Sequence, residues 1–389
     1  MTAKKKLFLC LDGGSDLMIL PRMLQALVPT RDSFTSWEVP LGERLPDHLF
    51  LSPETILAGC GSGGLLALYL ASLDPSLSSM EKIDRCTSFA NCLYSELQGG
   101  LGDGLAFLSG LRSLYSSKLL RQILLNFFDE DLRISDLPVK VGILTFQVRF
   151  GLEIKVEHNF SNSGYKNRTK VLDLALQCMA APGVAPIWKG RMTGGMYANN
   201  PSDMILCAWL KQVLNERQLE AEPSNIVSLL DRVTLLSLGR QEFKLAGSYI
   251  SKLLNRSENK WGWGKWLAWP LQPMMALKTI LNANVSRSNH NMQLLLGHKN
   301  CMRIAFHPDD ITLLQLLEVT ETTDPQTRGQ QIDEVIKRWV KERECPVEIS
   351  PSFEHVKAWL EQEWLPNQQK IAPPPVTSSS MMLPAFPGS

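Results

Sequence analysis

The sequence predicts an α/β fold in which a mostly parallel central sheet is covered by helices on both faces, a three-layer α/β/α arrangement. Short apolar runs at residues 6–11, 55–58, 139–148 and 233–238 are typical of buried strands. Helical stretches such as residues 170–179 separate some of these runs. Strands that alternate with helices along a chain usually form parallel sheets through right-handed crossovers.

Two of the apolar runs end in glycine-rich turns. The first is followed by Asp12-Gly13-Gly14 and then by a predicted helix at about residues 19–28. The second leads into residues 59–64, Gly-Cys-Gly-Ser-Gly-Gly, and an apolar helix at residues 65–73. This strand-turn-helix pattern is typical of a nucleophile elbow, in which a reactive side chain sits on a strained turn. The same pattern also occurs where a helix N-terminus binds phosphate, or where strand and helix pack closely. The phosphate explanation is weakened because no Walker lysine follows either turn.

Composition excludes several classes of function. The chain has 40 basic and 39 acidic residues, a formal net charge of +1, so we expect no nucleic-acid partner. Its eight cysteines are scattered without a CxxC pair, which argues against a zinc site, another metal or a disulfide framework. No apolar stretch reaches the roughly 18 residues of a membrane span, and no signal-peptide core is evident. These features predict a cytoplasmic protein, with contact to a membrane surface as an alternative.

The change in pattern after about residue 320 predicts a division of the chain. Residues 1–320 form the α/β domain in this interpretation. Residues 321–371 form a helical extension packed on it, with one helix beginning at Asp324 and another after Ser350. Residues 372–389 are rich in proline and serine and are predicted to be a flexible tail.

Three segments, taken together, resemble the patatin-like phospholipase family. Asp12-Gly13-Gly14 is similar to the family's glycine-rich oxyanion loop after the first strand. Residues 172–186, LDLALQCMAAPGVAP, resemble the helix and turn that precede the family's acidic motif. Thr193-Gly194-Gly195 and Ala198-Asn199-Asn200-Pro201 resemble that motif, an Asp-Gly-Gly loop, and the Asn-Asn-Pro after it. The resemblance implies a patatin-like α/β fold that requires no cofactor.

In patatins a serine attacks the ester carbonyl, an aspartate takes its proton, and backbone N–H groups of the glycine loop hold the oxyanion. Aligned without gaps, this chain has Gly61 at the nucleophile position and Thr193 at the base position. Ser15 replaces the third loop glycine, and Leu17 replaces an arginine near the oxyanion region. The combined departures predict a pseudoenzyme that acts through binding or assembly.

Two shifted alignments keep an enzyme as the alternative hypothesis, a lipid acyl hydrolase or acyltransferase with a relocated nucleophile. One makes Ser62 the nucleophile and the other Cys60, with Asp12 or Asp16 as a conceivable base. If Ser62 is not a nucleophile, we expect its hydroxyl to form a hydrogen bond with the backbone at a helix N-terminus. If Cys60 is not a nucleophile, we expect it to be a small side chain that fills the core.

A tryptophan-rich segment near residue 265 suggests a contact surface. Indole side chains beside lysines suit a membrane interface or a protein–protein contact, and core packing is an equally good explanation. The predicted partners are another protein or a second copy of the chain, with a lipid or acyl ligand and a peripheral membrane contact as further hypotheses. The residues concerned are Trp261, Trp263, Trp266 and Trp269.

Overall fold

The computed structural model describes eight stretches of the chain: residues 5–13, 17–27, 54–99, 113–149, 151–161, 167–240, 275–306 and 353–364. Seven strands lie in these stretches: β1 Lys6–Leu11, β2 Thr55–Gly59, β3 Lys140–Gln147, β4 Glu153–His158, β5 Arg191–Thr193, β6 Val233–Arg240 and β7 Cys301–Phe306. The α-helices are α1 Ile19–Leu27, α2 Gly61–Ser72, α3 Ser79–Gly99, α4 Ser117–Leu124, α5 Val171–Met179, α6 Ser202–Arg217, α7 Pro223–Leu230, α8 Met275–Asn300 and α9 Phe353–Glu363.

The strands form one mixed sheet that is mostly parallel. Its order is β4-β3-β2-β1-β6-β7, and β5 pairs with the C-terminal residues 145–147 of β3. The four pairings that join β3, β2, β1, β6 and β7 are parallel, whereas β4 and β5 run antiparallel to β3. The predicted α/β class with a mostly parallel sheet is therefore confirmed.

Helices cover both faces of the sheet because the central strand β1 is apolar on both sides. Leu7, Leu9 and Leu11 pack into a core with α1, α2, α3 and α5. Phe8 and Cys10, which alternate with them, pack into a second core with α6, α7 and α8. A strand buried on both faces needs a continuous apolar run, which explains the sequence of β1.

The sequence prediction missed three strands and misplaced the start of one helix. Strand β5 has only three residues, β4 alternates apolar and charged residues, and Arg303 interrupts the otherwise apolar β7. Helix α2 begins at Gly61 and not at residue 65, because the Gly64 N–H already donates an i to i−4 hydrogen bond to the Cys60 carbonyl oxygen at 2.9 Å. The other predicted strands and helices within the described residues lie within about two residues of their expected bounds.

The second helix of the predicted C-terminal extension is present as α9. Its Val356, Leu360 and Trp364 are buried in the core that contains α1. The Trp359 indole N–H donates a hydrogen bond to the Lys299 carbonyl at 2.7 Å. The helix predicted at Asp324 and the proposed tail lie outside the described residues.

Across the stretches that the model describes, no helix has both the length and the apolar content required to cross a bilayer.

Candidate functional site

Gly61 is the residue at which the chain turns from β2 into α2. Its φ is +52°, in the left-handed region, whereas Cys60 before it is extended with φ −140° and ψ 159°. A residue with a side chain is strained by about 1–2 kcal/mol in the left-handed region, and glycine is not. The strained position of the turn is therefore held by a residue that has no side chain.

The neighbouring glycines are required by close packing. An ideal Cβ on Gly59 would lie 2.5 Å from the Gly63 carbonyl oxygen, and one on Gly63 would lie 2.3 Å from the Leu11 carbonyl oxygen. An ideal Cβ on Gly64 would lie 2.8 Å from the Cys178 sulfur. These three glycines let α2 start directly against the ends of β1 and β2.

A buried ion pair anchors the loop after β1. Asp12 is 1% exposed, and its Oδ2 and Oδ1 lie 2.6 and 3.2 Å from the Nη2 and Nη1 atoms of Arg303 on β7. The same Nη1 donates to Ser237 Oγ on β6 at 2.6 Å. Gly239, also on β6, leaves room for the carboxylate, because an ideal Cβ there would be 2.0 Å from Asp12 Oδ2. Asp12 thus holds the loop to β7 across β6.

A tight hairpin turn precedes β5. Trp188 and Arg191 exchange backbone hydrogen bonds of 2.9 and 3.0 Å around Lys189 and Gly190, whose φ values are 50° and 78°. Two central residues with positive φ define the type I′ turn, whose twist suits a two-residue hairpin. Arg191 also forms an ion pair with Glu157 of β4 at 2.5 Å. This turn directs the chain back along β3 towards Thr193.

Thr193 ends β5 and caps the 3-10 turn Gly194–Met196. Its Oγ1 accepts a hydrogen bond from the Gly195 N–H at 3.1 Å, and the residue is 5% exposed. Gly194 packs on the backbone of β3, where an ideal Cβ would lie 2.6 Å from the Leu144 carbonyl oxygen. Thr193, which the sequence comparison with patatins aligned with their aspartate, therefore contributes a neutral capping hydroxyl.

Three segments that are distant in sequence meet at this site. The Gly13 N–H donates to the Asn199 carbonyl oxygen at 2.9 Å, and the Cys60 thiol approaches the same oxygen at 3.0 Å. An ideal Cβ on Gly195 would lie 3.4 Å from Thr193 Oγ1 and 3.7 Å from Cys60 Sγ. The structure therefore brings together the loop after β1, the β2–α2 turn and the loop after β5.

The Cys60 thiol is held in its neutral form. It is fully buried and donates to the carbonyl oxygens of Asn199 and Ala198, at 3.0 and 3.3 Å. Burial raises the pKa of this thiol well above its ordinary value, and the nearby Asp12 carboxylate raises the pKa further. A cysteine nucleophile requires the opposite shift. Cys60 instead packs with Leu144 and Ala198 in a small apolar cluster.

Ser62 does not make the backbone hydrogen bond expected from the sequence. Its hydroxyl oxygen is buried and has no hydrogen-bond partner among the described residues. The expectation was wrong because α2 begins at Gly61, so Ser62 is inside the first turn and Cys60 occupies the N-cap position. No base within the described residues reaches this hydroxyl, which a serine nucleophile would require.

The remaining predicted positions are only partly described. Leu17, which stands where patatins have an arginine, is partly buried against the core beside α1. Gly14, Ser15 and Asp16 lie outside the described residues, as do the four tryptophans at positions 261, 263, 266 and 269.

Sequence reasoning missed Arg303, Ser237 and the side chain of Asn199 as parts of the site. Arg303 had a detectable signal, because it interrupts the otherwise apolar run of β7, and buried arginines are nearly always paired. Its partner Asp12 is 291 residues away in the chain. Asn199 contributes an amide oxygen 2.5 Å from the position of a Cβ on Gly13.

The site is therefore built from glycine turns, a buried ion pair and neutral polar side chains. Within the described stretches, no group of three or more His, Cys, Asp or Glu side chains is arranged to hold a metal ion. No protein-family model matches the chain, and a search of curated proteins finds no match.

Proposed function

We infer that this chain is a patatin-like protein without acyl-hydrolase activity, which acts by binding a lipid or acyl ligand or by assembling with a protein partner. The observation that carries this proposal is Gly61. It lies at the strained position between β2 and α2, where a nucleophile elbow carries its reactive side chain, and it has none.

The second position supports the same conclusion. Proton removal from a serine requires a base within hydrogen-bonding distance. At the patatin base position this chain has Thr193, whose hydroxyl is occupied as the cap of the Gly195 N–H. A threonine hydroxyl does not accept a proton at neutral pH, so neither half of a Ser-Asp dyad is available.

The framework around these two positions is retained. Close glycine packing supports the β2–α2 turn, and the Asp12–Arg303 pair holds the adjacent loop. These contacts keep the turn and the loop in place without the reactive groups, which supports a binding or assembly role.

The proposal is tested by restoring the missing groups. We expect wild-type protein to react with a fluorophosphonate probe no faster than denatured protein. The double variant Gly61→Ser with Thr193→Asp should gain labelling at the introduced serine, read by peptide mass spectrometry. Its rate should exceed that of Gly61→Ser with Thr193→Asn about 100-fold, because the asparagine amide cannot act as a base.

Two controls separate chemistry from misfolding. Gly61→Ala with Thr193→Asp has the same backbone strain, about 1–2 kcal/mol, but no nucleophile. Circular dichroism and thermal unfolding verify that each variant is folded. A folded double variant that stays unlabelled would contradict the assignment of Gly61 to the nucleophile position.

The enzyme alternative has a direct test in the wild-type protein. Rapid stoichiometric labelling of Ser62 by the fluorophosphonate, or of Cys60 by iodoacetamide, would replace the pseudoenzyme proposal if alanine at that position abolished it. The neutral buried Cys60 thiol should instead react far more slowly than the exposed thiols of Cys92 and Cys207.

Location and partners form the rest of the proposal. The sequence supports a cytoplasmic protein that contacts membranes or protein partners through the tryptophan-rich segment. Light scattering of the purified protein tests self-assembly, and fractionation of cells tests the location. Substitution of Trp263 and Trp266 by serine should reduce whichever association is found.

A further inference from the structure

Strand β4 lies at an edge of the sheet. It pairs with β3 on one side, and no strand within the described stretches pairs with it on the other. An edge strand presents a row of N–H and C=O groups to which a further strand can be added, and proline is one device that blocks such an edge. The sequence of β4, EIKVEH, contains no proline. Its backbone is therefore able to accept another strand.

The register with β3 shows which residues of β4 bond to the sheet. In an antiparallel pair, residues that exchange backbone hydrogen bonds alternate with residues that do not. The Asn159 N–H donates to the Val141 carbonyl oxygen at 3.3 Å, so this is a hydrogen-bonded pair. Counted from it in steps of two, the backbone groups of Glu157, Lys155 and Glu153 also point towards β3.

The alternate residues of β4 direct their backbone groups away from the sheet. His158 shows this directly, because its carbonyl oxygen accepts a hydrogen bond from Asn167 Nδ2 at 3.4 Å on the outer side. The N–H and C=O groups of Ile154 and Val156 point the same way. Among the described residues, no group outside β4 bonds to these four backbone groups.

Two charged side chains of β4 remain accessible to a partner. Glu153 and Lys155 pair with each other at 2.7 Å, and their side chains are 63% and 39% exposed. Glu157 is different, because its carboxylate is engaged by Arg191 and by the amide of Asn167. An approaching strand would therefore meet one negative and one positive side chain, two residues apart.

The other face of the same edge is apolar. Ile154 and Val156 pack against the small cluster that contains Cys60. Leu152 lies just before β4 and two residues before Ile154, and it is 78% exposed. A strand added at this edge would extend the apolar layer and cover Leu152.

A second copy of β4 fits both faces when the two strands run antiparallel about a two-fold axis at Ile154. Ile154 then faces its own equivalent, and Leu152 faces Val156 of the second copy. Glu153 faces Lys155 of the second copy, and this charge pair occurs twice because the contact is symmetric. Opposite charges directly across two strands are stabilising, as are pairs of apolar side chains.

The neighbouring registers fit less well. An axis at Lys155 would place two lysines opposite each other, and like charges in that position are destabilising. An axis at Val156 would pair Lys155 with Glu157, whose carboxylate is already engaged. It would also displace Asn167 from the outward carbonyl of His158. The register centred on Ile154 avoids both conflicts.

We propose that two copies of this chain pair antiparallel through β4, with Ile154 on the two-fold axis, so that one sheet continues across the dimer. The partner is thus a second copy of this chain. The inference rests on the assembly alternative of the proposed function and does not depend on the missing Ser-Asp dyad.

Charge reversal tests the contact between the copies. Sedimentation of the wild-type protein over a range of concentration should show a dimer. Lys155→Glu and Glu153→Lys should each weaken it about tenfold, because like charges then face each other twice. The chain that carries both substitutions should dimerise as wild type does. Thermal unfolding verifies that each variant is folded.

A mixture of the two single variants gives a sharper result. The Glu153→Lys chain presents two lysines and the Lys155→Glu chain presents two glutamates, so each repels its own copy and complements the other. Native mass spectrometry should show the mixed dimer in excess of both homodimers. An axis at Val156 would instead make Glu153→Lys silent, because residue 153 would then face Asn159.

Cross-linking tests the register, in a background with the exposed Cys92 and Cys207 replaced by serine. Ile154→Cys places its two sulfurs at the axis, where Cα atoms about 5.5 Å apart are within the reach of a disulfide. Val156→Cys is the matched control, because its two copies would lie four residues apart along the strands, about 14 Å. Mild oxidation should cross-link the first variant alone, as read by non-reducing electrophoresis and peptide mass spectrometry.

Three results would overturn the inference: a wild-type protein that stays monomeric, equal cross-linking at positions 154 and 156, or a mixture of charge variants without excess mixed dimer. The two proposals fail separately. A monomer that does not react with the fluorophosphonate keeps the pseudoenzyme proposal and rejects the β4 dimer. A reactive protein that cross-links through Ile154→Cys rejects the pseudoenzyme proposal and keeps the dimer.

Discussion

The site consists of two layers that differ in how much freedom their surroundings allow. We define the lower layer as Gly63, Gly239 and the Asp12–Arg303 pair. An added Cβ would lie 2.3 Å from a backbone oxygen at Gly63 and 2.0 Å from a carboxylate oxygen at Gly239. Real Cβ atoms essentially never approach other atoms so closely, so substitution of either glycine forces a displacement.

The upper layer is Gly61, Ser62 and Thr193. These residues carry no charge, and the Ser62 hydroxyl has no hydrogen-bond partner in the part of the chain that the structure describes. Thr193 makes one side-chain hydrogen bond, to the Gly195 N–H. The two layers therefore differ in steric constraint: close contacts fix the lower layer, whereas the Ser62 and Thr193 side chains each make at most one hydrogen bond within the described residues.

The largest effect is expected from breaking the buried ion pair in the lower layer. Arg303→Met should lower the free energy of unfolding by about 4 kcal/mol, because it removes the positive charge that pairs with the buried Asp12 carboxylate. Urea denaturation measures the change. The deficit should shrink as the pH falls, since a buried carboxylate that loses a neighbouring positive charge takes up a proton more readily in the folded state.

A second substitution sharpens that prediction. Adding Asp12→Asn to Arg303→Met removes the buried charge and should recover part of the lost stability. If the double variant were no more stable than Arg303→Met, the Asp12 charge would not be the cause of the loss.

A smaller effect is expected from a clash in the lower layer. Gly63→Ala should cost about 3 kcal/mol, because its methyl group would meet the backbone of Leu11 and Asp12, which cannot rotate away. Gly195→Ala is the control. Gly195 does not have positive φ, and an ideal Cβ there would lie 3.3 Å from its nearest neighbour, Asn199 Oδ1, so the substitution should cost about 1 kcal/mol or less. Equal losses in the two variants would contradict the steric explanation.

The smallest effect is expected in the upper layer. Thr193→Val keeps the shape of the side chain but removes the cap of the Gly195 N–H, at a cost of about 1 kcal/mol. Thr193→Ser keeps the hydroxyl and should remain close to wild type in thermal unfolding. A loss for Thr193→Val as large as that for Gly63→Ala would abolish the distinction between the two layers.

Much of the frame could be predicted from the sequence. Buried strands were visible as apolar runs because β1 and its neighbours are covered on both faces. The turns at Gly13 and Gly61 were visible because close approach and positive φ require glycine. Strand β4 was not visible because charged residues alternate along this edge strand, and the other edge strand, β7, was missed because Arg303 interrupts its apolar run.

The sequence by itself determined the α/β class, the glycine turns and the absence of a serine and an aspartate at Gly61 and Thr193. These are local properties, set by hydrophobic burial and backbone conformation within a few residues. Only the tertiary structure decided that Arg303 pairs with Asp12, that the Cys60 thiol is neutral and that the Ser62 hydroxyl meets no partner within the described stretches. Each of these depends on which groups meet across the sheet. The residues next to a polar side chain in the sequence do not indicate which distant group it will contact in the fold.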